Sequence, residues 1–171
     1  FKRGLTFVIL TIRQQSTLIP DQLDAVSRGD YSPLFGFKLR AFDYIEEHGA
    51  ELWQACKAAR TARECIRPLL DVPGLGIVKA AFCAQLMGHN TACLDSRNVR
   101  REGRNPRAFR TDGKPYGPAM ARKLTIYLRE TRGKAARYWD TWCREVAEAY
   151  GLTPEEVSAL HLAPLQFDLE E

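Results

Sequence analysis

The chain has little that would build a sheet, a membrane span, a metal centre or a disulfide scaffold. Few runs show the apolar–polar alternation that a half-buried strand requires. The apolar run Leu5 to Ile12 is too short to cross a bilayer. Arg13, Gln14 and Gln15 interrupt it and no small-residue cleavage site follows, so it reads as a buried helix and not as a leader. His48, His89 and His161 stand isolated, and neither a metal nor a cofactor is expected. The five cysteines, at 56, 65, 83, 93 and 143, are odd in number and scattered. They form neither a disulfide framework nor a zinc pattern, and they point to free thiols in a reducing compartment, the cytoplasm. There is no internal repeat and no low-complexity tract.

What is present is helical pattern. The 171 residues, 45% hydrophobic with a mean hydropathy of -0.33, describe one globular domain over 1–171. Leu39, Phe42 and Ile45 recur at helical spacing in Phe37 to Glu47, which His48-Gly49 is expected to close. A further helix is expected over Glu51 to Cys65, another from Ala119, and another over Ala135 to Tyr150. Thr153 followed by Pro154 is a good helix start. Trp53, Trp139 and Trp142 lie in these patterns and read as core or lobe-interface residues. The net charge of +4 and pI near 8.9 are only mildly basic, so the distribution of charge matters more than its total.

The segment from Leu70 to Val99 is the richest. Pro73-Gly74-Leu75-Gly76 is a turn whose glycines allow positive φ and leave the backbone N–H groups open to an anion. A helix is expected from Ile77, with Ala80, Ala81 and Ala84 giving it a smooth face. Its positive dipole end then lies beside the glycines, as a phosphate requires. Residues 68–88 thus read as a helix-hairpin-helix, with Pro68 starting its first helix. Asp95 follows one helix later, where a carboxylate can face whatever the hairpin holds.

That order of parts resembles the helix-hairpin-helix DNA glycosylase superfamily, which includes endonuclease III and the adenine glycosylases. In that family a Leu-Pro-Gly-Val-Gly hairpin precedes an Ala-rich helix and a Val-Asp-Thr-His segment. Here Val72-Pro73-Gly74-Leu75-Gly76 and Leu94-Asp95-Ser96-Arg97 fill those places. Phe7 to Thr17, containing Gln14-Gln15, is similar to the family's early helix ending in Gln-Gln-Thr, whose glutamine enters the duplex. The resemblance covers roughly Lys2 to Val99. It implies an all-α, two-lobed helical bundle of eight to ten helices, with the residues before Pro20 packed on the C-terminal helices. It also implies double-stranded DNA as partner, with a flipped base, and Asp95 as catalytic carboxylate. The family's nucleophilic lysine has Val78 in its slot; Lys79 is one residue on, a rotation of about 100°, and is expected to point elsewhere. It is the second catalytic candidate only if the register slips.

A second clue is the stretch 98–118, which reads as a basic irregular loop. Arg97, Arg100, Arg101, Arg104, Arg107, Arg110 and Lys114 are opposed there only by Glu102 and Asp112, with Phe109 and Tyr116 interleaved. Exposed aromatics among arginines suit phosphate neutralisation and base stacking. Gln14, Gln15, Gly74, Gly76, Ile77, Arg97 and Asn98, with the loop arginines, are therefore the expected DNA contacts. Three functions fit these residues. The first is a monofunctional glycosylase in which Asp95 assists N-glycosidic cleavage. The second is a glycosylase-like transferase that modifies activated 5-hydroxymethyluracil in phage DNA with an amine. The third is a non-catalytic binding module in which Asp95 only caps a helix.

Overall fold

Nine helices and no strand are present among the described residues, which are 1–14, 18–105, 107–111 and 116–162 of this computed structural model. In chain order they are α1 Lys2–Leu10, α2 Ile19–Ser27, α3 Phe37–Ala58, α4 Ala62–Leu69, α5 Ile77–Leu86, α6 Ser96–Arg101, α7 Pro118–Thr131, α8 Ala135–Tyr150 and α9 Pro154–Leu162. The all-α expectation holds, and no helix is long and apolar enough to cross a membrane among these residues.

Local chemistry explains where the helices start and stop. Lys38, Ala41, Phe42, Ile45, Leu52 and Cys56 form one buried stripe along α3. His48-Gly49 therefore does not end a helix, contrary to expectation: Gly49 lies on that stripe. A Cβ there would only touch Ile45 Cγ2 at 3.5 Å. The stripe outweighs the roughly 1 kcal/mol that an interior glycine costs. The expected Glu51–Cys65 helix is instead split at Ala59–Thr61. Thr61 Oγ1 accepts from the Glu64 N–H at 3.2 Å and Glu64 Oε2 accepts from the Thr61 N–H at 3.2 Å, a reciprocal cap that starts α4. Pro68 also departs from expectation, standing in the last turn of α4 and not at its start; the helix stops one residue later. Gly151, left-handed at φ 67°, closes α8.

From Leu5 to Leu10 α1 is buried on every side, so this part of it forms the centre of the main core. Its principal neighbours are α2, α3 and α5, and not the C-terminal helices expected from the resemblance. Those helices have their own small core. Cys143, Val146, Ala147 and Val157 pack α8 on α9, with Trp139 and Trp142 against them. Trp139 also packs on the main core, and α8 leans on α6. A large cavity opens where these bodies meet.

Candidate functional cleft

The hairpin between α4 and α5 is fixed from beneath. Val72 and Leu75 are buried, and the Leu75 N–H closes a turn onto the Val72 carbonyl at 3.1 Å. Gly74 adopts φ +84°, and a Cβ on it would lie 2.4 Å from the Phe37 ring. Only glycine fits there, on both counts. Gly76 caps α5 in extended conformation, its carbonyl accepting from the Lys79 and Ala80 N–H groups. One expected donor is already used: the Ile77 N–H donates to Thr111 Oγ1 at 2.9 Å, so Ile77 is not available to a phosphate. The N–H groups of Gly74 and Gly76 have no partner among the described residues.

Asp95 is held by the segment that precedes it. Tyr127 is fully buried and ties this segment down, its hydroxyl donating to the Ala92 carbonyl at 2.7 Å and accepting from the Leu94 N–H at 2.9 Å. Burial holds the Tyr127 hydroxyl well above its usual range, so it stays a neutral donor. The Cys93 N–H donates to Gln85 Oε1 at 2.9 Å. Burial, opposed by the charge of Lys79, raises the Cys93 thiol to about 12. Asp95 itself is half-buried and caps α6, with Oδ1 accepting from the Asn98 N–H at 2.9 Å. Asn98 is buried and its amide donates to the Cys93 carbonyl at 3.3 Å. Its side chain therefore braces the Asp95 segment.

The cavity of about 1070 Å³ brings these pieces together: Gly74, Gly76, Lys79, Asp95, Arg97, Asn98, Arg110 and Gln14 all line it. Gln15, Asp112 and Lys114 lie outside the described residues. Lys79 corrects the rotation argument. Both Val78 and Lys79 line the cavity, and Lys79 Nζ donates to Thr11 Oγ1 at 2.8 Å. Behind it stands a lysine that sequence reasoning missed. Lys38 is buried, its Nζ donating to the Leu10 carbonyl at 3.0 Å and to Gln14 Oε1 at 3.3 Å. Burial and then the charge of Lys79 push its pKa down. The available signal was its place on the α3 stripe, one turn before Ala41 and Phe42. Arg13 and Arg40 line the same wall, and Arg13 takes φ +52°, a left-handed conformation that costs a non-glycine residue about 1–2 kcal/mol.

The basic stretch is less exposed and less unopposed than its sequence implies. Its start is α6, so 98–101 is helix. Arg97 and Arg101 pair with Glu145 of α8, Arg104 pairs with Glu130 of α7, and Glu102 is held by Lys134, Arg137 and the Tyr138 hydroxyl. Arg100 and Arg107 are exposed and have no ion pair among the described residues. The two aromatics also depart from expectation. Phe109 is buried edge-on against Tyr127, and Tyr116 is half-buried beneath the Arg67 guanidinium at 4.3 Å. Neither is a free stacking platform. Phe109 is nevertheless among the rings that line the cavity, with Phe7, Phe37, Phe82, Tyr138, Trp139, Trp142 and Tyr150.

Compared with protein-family models, curated proteins and solved structures, the chain matches none.

Proposed function

We propose that this chain is a DNA-binding, base-flipping enzyme of glycosylase type, with Asp95 as its catalytic carboxylate. The observation that carries this reading is the shared cavity. Among the described residues, one space of nucleotide-accommodating size is lined by two hairpin glycines, Gln14, five cationic side chains and a single carboxylate. The five cations are Arg13, Arg40, Lys79, Arg97 and Arg110. In this reading the free N–H groups of Gly74 and Gly76 hold a backbone phosphate, and Gln14 occupies the space the flipped nucleotide leaves. Asp95 then stabilises positive charge developing on the sugar as the glycosidic bond lengthens, and water completes the cleavage.

One observation favours a non-catalytic binding module: Asp95 already works as the cap of α6. Two substitutions separate the readings. Asn keeps an oxygen that accepts from the Asn98 N–H but has no charge; Ala removes both. For an enzyme, Asp95→Asn retains duplex binding and thermal stability while base-directed turnover falls a hundredfold or more, the scale of a lost electrostatic stabiliser. For a module, Asp95→Asn behaves like the parent. In both cases Asp95→Ala costs about 1 kcal/mol of stability. Mass spectrometry of nucleosides from treated DNA is the activity readout, and it separates loss of a base from gain of a side group. Turnover in Asp95→Asn equal to the parent's overturns the catalytic assignment.

A further inference from the structure

We propose that Lys38 is a positioning residue for Gln14. Its buried ammonium turns the amide oxygen inward, so that the cleft presents N–H donors to the strand that stays behind when a nucleotide flips. The proposal rests on the DNA reading above and names what that strand must offer, a hydrogen-bond acceptor. The last carbonyls of a helix have no partner within it, and two lysines from other helices gather at the end of α1. Lys38 Nζ, from α3, donates to the Leu10 carbonyl at 3.0 Å and to Gln14 Oε1 at 3.3 Å. Lys79 Nζ, from α5, donates to Thr11 Oγ1 at 2.8 Å, and that hydroxyl donates in turn to the Val8 carbonyl at 2.6 Å. Lys38 thus spans the turn from Leu10 to Gln14, which passes through Arg13 at φ +52°. It is 3% exposed and has no carboxylate partner among the described residues, so these two oxygens are what hold its charge.

The polarity of the amide follows from its partner. An ammonium carries three donors and no lone pair, whereas a glutamine amide accepts at its oxygen and donates at its nitrogen. Only the oxygen can face Lys38. Turning the amide over would set Nε2 against the ammonium, donor against donor, and leave both unpaired. Gln14 Nε2 has no partner among the described residues, and Gln14 is half-buried on the cavity wall. The end of the side chain that remains for DNA is therefore a pure donor. Once the flipped nucleotide has left the stack, the base opposite keeps an unpaired edge. An acceptor on that edge meets Gln14 Nε2, while a donor there meets a like group. Arg13 and Arg40 line the same cavity and donate as well, so a preference for acceptors does not by itself single out Gln14. Its dependence on Lys38 does.

Duplexes that carry one tetrahydrofuran residue, standing for the emptied position, opposite either purine or 1-deazaadenine test this. Both bases are neutral at neutral pH and share their groove-facing ring nitrogens. On the pairing edge, purine offers only a ring-nitrogen acceptor and 1-deazaadenine only its amino donor. The parent is expected to bind the purine duplex roughly tenfold tighter, the effect of one hydrogen bond made against one left unpaired. Lys38→Met fills the same space without a donor, so the amide can turn either end outward and the two affinities are expected to converge. Gln14→Glu keeps the shape and the bond to Lys38 but presents only oxygen, and it is expected to favour 1-deazaadenine. Neither substitution removes an arginine donor. A lysine that merely stabilised the fold would move both affinities together and leave their ratio unchanged. Equal binding of the two duplexes by the parent, or the parent's ratio persisting in Gln14→Glu, overturns the proposal whether or not Lys38→Met folds. A ratio unchanged in folded Lys38→Met overturns it as well. If neither duplex nor its unmodified counterpart is bound, the DNA reading itself fails and this inference goes with it.

Discussion

Gly74 leaves no room in the cleft for a side chain. Its φ of +84° is strained for any other residue, and a Cβ would press into the Phe37 ring at 2.4 Å, a contact that no small relaxation removes. Gly88 has the same φ with nothing within 4 Å. Gly88→Ala should therefore cost only the backbone term, about 1–2 kcal/mol. Gly74→Ala should cost about 2–4 kcal/mol, because overpacking adds to it. Urea unfolding of the two variants checks this, and Phe37→Leu in the Gly74→Ala background should recover part of the difference. Equal losses would mean that the ring moves freely and the hairpin is not fixed from beneath. The places of Gly74, Gly76 and Asp95 in the fold were legible because they depend on local chemistry: a positive φ, a helix start, a spacing of one helix. Lys38 was not. A lysine on an apolar stripe signals burial only once the partners for its ammonium are known, and these, Leu10 and Gln14, come from the end of α1 and the turn that follows it.

Helices were easier to find than their ends. α8 runs over the residues its sequence pattern marks, because its apolar stripe stops at the left-handed Gly151. α3 and α4 divide at a different place from the one the sequence pattern suggests, because Gly49 lies on the buried stripe and stops nothing, while the break is the reciprocal cap at Thr61. That cap gives an element-scale prediction. Thr61→Ala removes the oxygen that accepts from the Glu64 N–H, and leaves Glu64 bonded to the N–H groups of Arg60 and residue 61. The expected loss is about 1 kcal/mol, or roughly 2–4 °C in melting temperature for a chain of this size. Thr61→Ser should lose almost nothing. A melting temperature unchanged in Thr61→Ala would mean that packing of Cys65, Ile66 and Leu69, not the cap, sets where α4 starts. α6 was invisible for a different reason. Its six residues hold one apolar side chain, Val99, which is too few to show a period. The ring cluster beside the cleft was hidden by topology, since Phe82 and Trp142 come from different helices and each alone reads as core.

At the scale of the whole molecule, net charge is a poor guide to the surface that a polyanion would meet. The excess of +4 is small, and three of the arginines after Asp95, namely Arg97, Arg101 and Arg104, are answered by acids from α7 and α8. These surface pairs are each worth only about 0–1 kcal/mol to stability, so they hardly hold the fold together. Their consequence is electrostatic: an arginine engaged by Glu130 or Glu145 must exchange that partner before it can neutralise a phosphate. Arg100 and Arg107 have no such partner among the described residues, so the basic stretch divides into two classes that its sequence does not distinguish. Salt dependence of duplex affinity separates them. Each arginine that displaces a counterion contributes about 0.9 to the slope of log affinity against log salt. Arg100→Ala with Arg107→Ala should flatten that slope by up to about 1.8 and weaken binding to all sequences alike. Arg101→Ala with Arg104→Ala should flatten it by much less, although affinity still falls, because Glu145 and Glu130 are then left facing the polyanion. The hairpin N–H groups remain in both double variants, so binding should weaken without vanishing. Equal flattening by the two pairs would show that the acids release their arginines to DNA. A slope unchanged in the Arg100, Arg107 variant would remove this stretch from the interface altogether and leave the cavity wall to supply the contacts.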